Sequence, residues 1–291
     1  MGPVRSPSAL SAPLATPAPH GQGGVKDVAP RGRAGSEEWS WGEFMAVALS
    51  AHLRDDDVAV MGTASALPQV ACRLAQLTSA PGLCYVAGGT CSVNPRLAPV
   101  TPSCCDFDLL RADTALPLSD VVALEGRGDV FSVFFAGGLQ IDAYGNCNLV
   151  AVGEWAHPRL RGPGTVGLPF LSRVGRVLIY SMSHNRRTFV ERVDFLGGPG
   201  FLGGPKEWSA AGLTGGGPAL VVTPLCTMDF EPASLRMRVV SLHPGVGLDD
   251  VRAATDFDLV LPDHVPVTAS PTASQLATVR SLDSNGVLKG V

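Results

Sequence analysis

The chain has 291 residues, a formal net charge of −4 and an isoelectric point near 5.8, and 45% of its residues are hydrophobic. This is enough apolar material for the core of one large α/β domain or two small ones. The acidic balance provides no broad basic surface, so no nucleic acid partner is expected. No apolar run approaches the roughly 20 residues of a transmembrane helix, and no membrane association is expected either.

The cysteines are scattered and odd in number, which is typical of reduced thiols in a cytoplasmic protein and not of a disulfide framework. No CxxC pair or His/Cys cluster has the spacing of a zinc site, so no structural metal is expected. The adjacent pair Cys104-Cys105 allows two interpretations, a redox or ligand site and two ordinary loop cysteines. The cysteines are Cys72, Cys84, Cys91, Cys104, Cys105, Cys147 and Cys226.

The two ends of the chain differ from its middle. Residues 1–37 are rich in Pro, Ala, Ser and Gly, and this composition predicts disorder because too little apolar surface is available for burial. A signal peptide is disfavoured because no apolar core or cleavage-like site follows Arg5. The rest divides into a domain over 38–264 and an extension over 265–291. A short helix around 275–282 is expected to pack on the domain or on a partner.

Between the ends, helical spacing of apolar residues predicts helices over 41–53, 67–77 and 249–254. Apolar runs with hydrophobic residues on both faces predict buried strands at 58–61, 82–86, 130–135, 175–180 and 220–223. Strands separated by helices indicate an α/β fold with an open, mostly parallel sheet flanked by helices. The glycine-rich stretch 197–217 predicts long loops, which are either flexible surface loops or a lid over a substrate.

The most informative segment is 134–148, which reads FFAGGLQIDAYGNCN. An apolar strand ends on Gly137 and Gly138, and Tyr144-Gly145-Asn146 is typical of a tight reversal. The whole string resembles the GG-x-Q-I-D-x-YGN-x-N signature of the β-type subunit of the class I CoA-transferase superfamily. Residues 161–167 resemble a second glycine-rich loop of that family. Further segments at 177–190, 220–223 and 237–258 are similar to the β subunits of steroid ring-cleaving CoA hydrolases and glutaconate CoA-transferases.

The resemblance implies a chemistry and also a missing residue. Class I CoA-transferases use a glutamate that attacks an acyl-CoA thioester and becomes a glutamyl-CoA thioester. In the glutaconate branch this glutamate lies in an E-S-G turn after the second strand. The matching residues here are Ala87-Gly88-Gly89, and residues 58–105 contain no Asp or Glu. We therefore expect no catalytic residue of the standard kind in this chain.

Several interpretations stay open. The carboxylate can belong to an α-type subunit, as the ring-cleaving hydrolase branch of the family implies, or catalysis can follow a decarboxylase branch in which that glutamate is replaced. Cys84 and Cys91 flank the turn and are weaker candidates for a substitute nucleophile. A competing class is a non-catalytic structural or regulatory subunit. The polar constellation of Gln140 and Asn146 beside the two glycines favours an active site over that class.

The resemblance implies that the substrate is a coenzyme A thioester, that no cofactor is tightly bound, and that the partner is an α-type CoA-transferase subunit. It also implies which residues contact the substrate. Backbone N–H groups at Gly137-Gly138 and at Gly88-Gly89 are expected to face the thioester carbonyl. The amides of Gln140 and Asn146 are expected to orient a carbonyl or carboxylate.

Three further predictions concern the second half of the chain. Gly162 and Gly164 are expected to approach the pantetheine closely because they lack side chains. Arg186 and Arg187 follow a predicted strand, where they suit either a bound phosphate or carboxylate or a solvated surface. His243 is predicted to be a hydrogen-bonded structural histidine.

Overall fold

The computed structural model describes residues 32–34, 37–96 and 98–289. Disorder was predicted for residues 1–37, and of these 1–31, 35 and 36 lie outside the described residues. Residues 32–34 and 37 differ from the prediction, because they belong to two paired antiparallel strands. The strands in the described part are β1 (Gly32–Ala34), β2 (Glu37–Trp39), β3 (Val58–Met61), β4 (Cys84–Ala87), β5 (Ser92–Val93), β6 (Thr114–Ala115), β7 (Val133–Ala136), β8 (Gln140–Ile141), β9 (Cys147–Asn148), β10 (Ala151–Gly153), β11 (Pro158–Arg161), β12 (Arg176–Tyr180), β13 (Pro218–Val222), β14 (Cys226–Phe230) and β15 (Met237–Leu242). The helices are α1 (Trp41–Ser50), α2 (Ala66–Leu77), α3 (Leu118–Glu125), α4 (Pro205–Ala210), α5 (Leu248–Ala254) and α6 (Ala273–Leu282).

A nine-stranded sheet forms the centre of the molecule, in the order β15-β14-β13-β12-β7-β3-β4-β5-β6. The five strands from β13 to β4 are parallel, and two antiparallel strands extend the sheet at each edge. The connection between β13 and β14 is a turn of residues 223–225, which is too short for the crossover that a parallel pair needs. The predicted α/β class is confirmed, although the antiparallel edges make the sheet mixed.

Strand side chains alternate between two cores, one on each face of the sheet. Met61 and Phe135 point to the face covered by α1, α2 and α6, whereas Val60 and Phe134 point to the opposite face. Helices α3 and α5 contribute Val121 and Val251 to the second core. Because both faces are covered, the central strands are apolar on both sides, as the sequence predicted.

The C-terminal helix α6 is part of the domain. Leu276 packs with Trp39 and Phe44, and Val279 and Leu282 join the core beneath α1 and α2. An ion pair also joins α6 to α1, because the Arg280 guanidinium donates to the buried Glu43 carboxylate at 2.8 Å.

The glycine-rich stretch 197–217 packs against the turn at 144–146. The N–H of Phe201 donates to the Tyr144 carbonyl at 2.8 Å, and a Cβ at Gly200 would lie 2.3 Å from the same oxygen. The prediction of flexible surface loops is therefore wrong for the buried residues of this stretch, and α4 within it was not predicted. No helix in the described ranges is long and apolar enough to cross a bilayer.

Candidate active site

The carboxyl ends of the parallel strands meet at one edge of the sheet, where open α/β sheets bind their ligands. β4 ends at Ala87 and β7 ends at Ala136, and β3 runs between them. Met61 of β3 pairs with Ala87 on one side and with Phe135 on the other, so the three strand ends are level. Neighbouring strands are about 4.8 Å apart, so the turns after β4 and β7 begin roughly 10 Å from each other.

The turn after β7 carries two successive free backbone donors. Within the part of the chain that the structure describes, the N–H groups of Gly137 and Gly138 have no acceptor in the protein. A Cβ at Gly138 would lie 2.6 Å from the Gln140 carbonyl oxygen, and one at Gly137 would lie 3.2 Å from the Tyr180 carbonyl oxygen. The backbone conformation therefore depends on glycine here. Successive free amides of this kind attract negative charge on an oxygen atom.

β4 ends at Ala87, whose methyl group is fully buried in the core, and the turn that follows begins at Gly88. The Gly88 N–H donates to the Met61 carbonyl at 2.9 Å, so it is not available to a substrate. The Gly89 N–H has no acceptor among the described residues, and a Cβ at this position would lie 2.5 Å from the Cys104 carbonyl oxygen. Of the two donors predicted in this turn, the geometry leaves the one at Gly89.

The Gln140 side chain is buried and joins two loops. Its Nε2 donates to Asp194 Oδ2 at 3.0 Å, and its Oε1 accepts from the Asp194 N–H at 3.0 Å and from Asn148 Nδ2 at 2.7 Å. These bonds fix the amide within the protein, where it also borders a cleft described below.

The Asn146 amide is likewise held inside the protein. Its Nδ2 donates to the Asp142 carboxylate and to the Leu202 carbonyl, both at 2.9 Å. Its Oδ1 accepts from the N–H groups of Gly200 at 2.8 Å and Leu202 at 3.1 Å. Burial raises the pKa of Asp142, and the hydrogen bond from Asn146 opposes that shift. All hydrogen-bonding positions of the amide are occupied, so it braces the loop.

The second glycine-rich loop follows β11. A Cβ at Gly162 would lie 2.0 Å from the Leu149 carbonyl oxygen, and the Gly162 N–H donates to Val150 at 2.9 Å. Gly164 has a φ of +101°, which glycine adopts readily. A Cβ at this position would meet nothing within 4 Å. Contact of these residues with pantetheine stays a prediction.

A cleft of about 1020 Å³ opens beside Gly138, between the ends of β7 and β12 and the β10–β11 hairpin. No residue of 197–217 borders it, so nothing in the structure supports the lid interpretation of that stretch. The lining residues are Gly138, Leu139, Gln140, Val152, Arg159, Leu160, Ser181, Met182, Ser183, Asn185, Arg186, Arg187, Thr188, Val190, Glu191, Arg192, Asp194 and Asp256.

The two histidines near this edge are structural. His184 lies with Nδ1 2.8 Å from Thr223 Oγ1 and Nε2 3.0 Å from Thr255 Oγ1. Burial lowers its pKa to about 3. His243 lies 3.3 Å from Thr227 Oγ1, and burial lowers its pKa to about 4. Both rings are neutral at pH 7, which agrees with the structural role predicted for His243.

All seven cysteines are free thiols. Burial raises the pKa of Cys84 and of Cys91, which disfavours the reactive thiolate form in both. Cys226 lies 4.0 Å from His184 Nδ1, yet burial raises the pKa of this thiol to about 12 and keeps the imidazole neutral. The surroundings of these thiols do not support a substitute cysteine nucleophile. Among the residues described, no group of three or more His, Cys, Asp or Glu side chains could hold a metal ion.

The sequence did not predict several residues that border the cleft. Ser181 and Ser183 directly follow β12, so the rule that ligands bind at the carboxyl ends of parallel strands could have found them. Arg159 and Arg192 come from a hairpin and a loop, and no local pattern indicates that either reaches the cleft.

The fold agrees with comparisons to known proteins. A family model described as Coenzyme A transferase matches residues 43–254, and the chain belongs to that family. The B-type subunit of 3-oxoadipate CoA-transferase from Pseudomonas knackmussii is 32% identical over 248 residues, covering 84% of this chain and 94% of that protein. The cholesterol ring-cleaving hydrolase IpdB subunit of Mycobacterium tuberculosis is 30% identical over 241 residues, covering 82% and 93%.

Among solved structures, glutaconate coenzyme A-transferase from Acidaminococcus fermentans superposes with a TM-score of 0.78 at 25% identity. The match covers 87% of this chain and 98% of that one. These findings confirm the predicted class, a β-type subunit of the class I CoA-transferases.

Proposed function

We propose that this chain is the β-type half of a two-subunit enzyme that acts on an acyl-CoA thioester, with an α-type subunit as its partner. The observation that carries the proposal is the pair of free N–H groups at Gly137 and Gly138, at the ligand-binding edge of the sheet. Fixed donors stabilise the negative charge that develops on a thioester oxygen, and loss of one such donor typically costs about 10²–10³ in rate. The free Gly89 N–H on the neighbouring turn is a further donor on the same edge.

In this proposal the attacking carboxylate comes from the partner. Ala87 stands where the family resemblance expects the glutamate, and a methyl group cannot form an anhydride with an acyl group. Of the three acids that border the cleft, Asp194 already accepts hydrogen bonds from Gln140 and Gly153, and Asp256 pairs with Arg186. The third, Glu191, is exposed and does not stand after β4, where the family resemblance expects the glutamate. The chain then contributes the donors and part of the binding surface, and the α-type subunit contributes the nucleophile.

The buried amides have a supporting role in this proposal. Gln140 and Asn146 hold the loop that contains Gly137 and Gly138 in place, because their hydrogen bonds tie it to the segment 194–202. They position the donors and do not themselves contact the acyl group.

A second candidate function is hydrolytic cleavage of a ring in the acyl group of an acyl-CoA, which the 30% identity to the ring-cleaving hydrolase subunit favours. A transferase passes CoA from the acyl group to a carboxylic acid, whereas ring hydrolysis adds water to the acyl group and leaves the thioester intact. An acyl-CoA product that is heavier by one water supports ring hydrolysis, and acid-dependent formation of a new thioester supports transfer.

The test is to purify this chain alone and together with its α-type partner, and to measure acyl-CoA turnover in both. We expect no turnover by the chain alone and full turnover by the complex. Gly138→Ala should lower turnover of the complex at least 100-fold, because the added Cβ lies 2.6 Å from the Gln140 carbonyl oxygen and displaces the donors.

Gly126→Ala is the matched control, since this glycine ends α3 and the nearest atom to its new Cβ is the Ala123 carbonyl oxygen at an ordinary 3.4 Å. Normal turnover of the Gly138→Ala complex, or full turnover by the isolated chain, would contradict the proposal. If the complex assembles and neither Gly138→Ala nor Gly126→Ala changes its turnover, the result would favour a non-catalytic structural or regulatory subunit.

A further inference from the structure

The β10–β11 hairpin is separate from the nine-stranded sheet. Its two strands pair only with each other, and the Gly153 N–H anchors them by donating to Asp194 Oδ2 at 2.7 Å. A two-stranded hairpin is marginally stable in water by itself and needs a further element packed against it. Yet the side chains of Trp155 and Leu160 are 62% and 49% exposed. The hairpin therefore offers apolar surface that a further element can cover.

This apolar surface extends onto the neighbouring loop. The rings of Trp155 and Phe195 meet edge to face with their centroids 5.5 Å apart, and the Arg161 guanidinium lies 4.7 Å from the centroid of the Trp155 ring. Leu196, the next residue along the loop, is 55% exposed. We refer to Trp155, Leu160, Arg161 and Leu196 as the hairpin patch. Exposed apolar patches mark interaction sites, and Trp and Arg are enriched among the residues that carry most of the binding energy of an interface.

The position of the hairpin identifies the partner. Val152 and Leu160 of the hairpin border the cleft beside Gly138. In the proposed function, the acyl-CoA thioester lies at Gly137 and Gly138, and the attacking carboxylate comes from the α-type subunit. The reacting atoms must approach to about 3–3.5 Å, so the α-type subunit has to reach over this edge of the sheet. The hairpin lies at the rim of the same cleft and is thus in the path of that subunit.

The charge of the hairpin agrees with a partner that presents carboxylates. The hairpin contains Arg159 and Arg161 against one acid, Glu154. Across the described ranges, neither guanidinium makes an ion pair or a hydrogen bond with the protein. Both side chains are exposed. Interfaces place opposite charges against each other, so this surface suits an acidic surface on the partner.

We infer that the hairpin patch is a docking surface for the α-type subunit. Trp155 is its apolar anchor, and Arg159 and Arg161 face acidic side chains of that subunit. This inference rests on the proposed function, because that function brings the partner's carboxylate to Gly138.

The test measures the dissociation constant between this chain and the α-type subunit by titration calorimetry, without acyl-CoA. Loss of an interface anchor typically weakens binding about 30-fold or more, and we expect Trp155→Ala to do so. Arg161→Gln should weaken binding less and reduce its dependence on salt concentration. Turnover with Trp155→Ala should return to the level of the unmodified complex when the α-type subunit is in large excess, because Trp155 does not border the cleft.

Two matched controls should leave the dissociation constant unchanged. Leu77→Ala removes a side chain that is 54% exposed at the end of α2, and Arg173→Gln removes an exposed cation that lies before β12. Because Trp155 is largely exposed, the melting temperature of Trp155→Ala should stay within about 2 °C of the original, which separates weak binding from misfolding.

Three results would overturn the inference. An unchanged dissociation constant for Trp155→Ala and Arg161→Gln, in a complex that turns over acyl-CoA, would remove the docking surface and leave the proposed function intact. A dimer of this chain alone that Trp155→Ala dissociates, observed by sedimentation, would assign the patch to a second copy. Failure of the unmodified chain to bind the α-type subunit at all would remove both the docking surface and the proposed function.

Discussion

Substitution of Asn146 by alanine tests whether the amide of this residue braces the loop or binds the substrate. The change removes the acceptor of the buried Gly200 N–H and of the half-buried Leu202 N–H, together with the donor to the Asp142 carboxylate and to the Leu202 carbonyl. Each buried group left without a partner costs about 1–3 kcal/mol, so we expect a loss of about 3–5 kcal/mol in the free energy of unfolding. At about 2–4 °C per kcal/mol for a domain of this size, the melting temperature should fall by roughly 6–20 °C.

The assay is urea unfolding followed by fluorescence, alongside turnover of the assembled complex. Asn285→Ala is the control, because Asn285 is exposed and its loss should change the free energy of unfolding by less than about 0.5 kcal/mol. A variant Asn146→Ala with unchanged stability and a KM raised 10-fold or more would refute the bracing role and assign the amide to the substrate.

Asn146→Asp adds a pH-dependent version of the same test. The new carboxylate at position 146 still accepts from the N–H groups of Gly200 and Leu202, but it faces the Asp142 carboxylate. Two facing carboxylates repel each other when both are ionised, and burial already raises the pKa of Asp142. A raised carboxyl pKa gives stability that is present at low pH and is lost as the pH rises. Asn146→Asp should therefore lower the free energy of unfolding less at pH 5 than at pH 8, as measured by urea unfolding. A larger loss at pH 5 than at pH 8 would contradict the assigned contacts.

Three further predictions concern the core and the titratable groups. Leu276→Ala should cost about 2–4 kcal/mol in urea unfolding, because Leu276 is fully buried against Trp39 and Phe44, whereas Leu77→Ala on the exposed side of α2 should cost far less. Glu125→Gln should raise the free energy of unfolding at pH 8 and change it little at pH 5. Burial raises the pKa of Glu125 to about 7, so the stability linked to its protonation is lost as the pH rises through that value. Iodoacetamide should label Cys105 before the other cysteines, since its side chain is exposed and most of the others are buried; peptide mass mapping that finds Cys91 or Cys147 labelled first would contradict the burial assigned to them.

The parallel strands could be predicted from the sequence because each is a short apolar run with hydrophobic residues on both faces. The prediction at 58–61 coincides with β3, and that at 175–180 differs from β12 by one residue. The antiparallel edges could not be predicted in the same way. β5 and β6 have two residues each and are ordered by pairing with β4 and with each other, so their local sequence carries too little signal.

In the candidate site as well, residues in a recognisable local string could be predicted, whereas contacts between distant parts of the chain could not. Gly137 and Gly138 were predicted because their neighbours form a recognisable string. The contacts of Asn146 were not, because its partners Gly200 and Leu202 lie 54 and 56 residues further along the chain. The sequence also does not show which charged residues of the cleft pair with each other, because partners such as Arg186 and Asp256 lie far apart in the chain and meet only in the folded molecule.

The most direct test of the central claim locates the covalent intermediate. The complex is incubated with acyl-CoA, trapped with hydroxylamine or borohydride, and the mass of each polypeptide is measured. We predict no adduct on this chain, since Ala87 stands at the end of β4 where the family resemblance expects the glutamate, and a modified glutamate on the α-type partner if the route is covalent. A modified acidic residue on this chain, Glu191 in the cleft included, would contradict the claim.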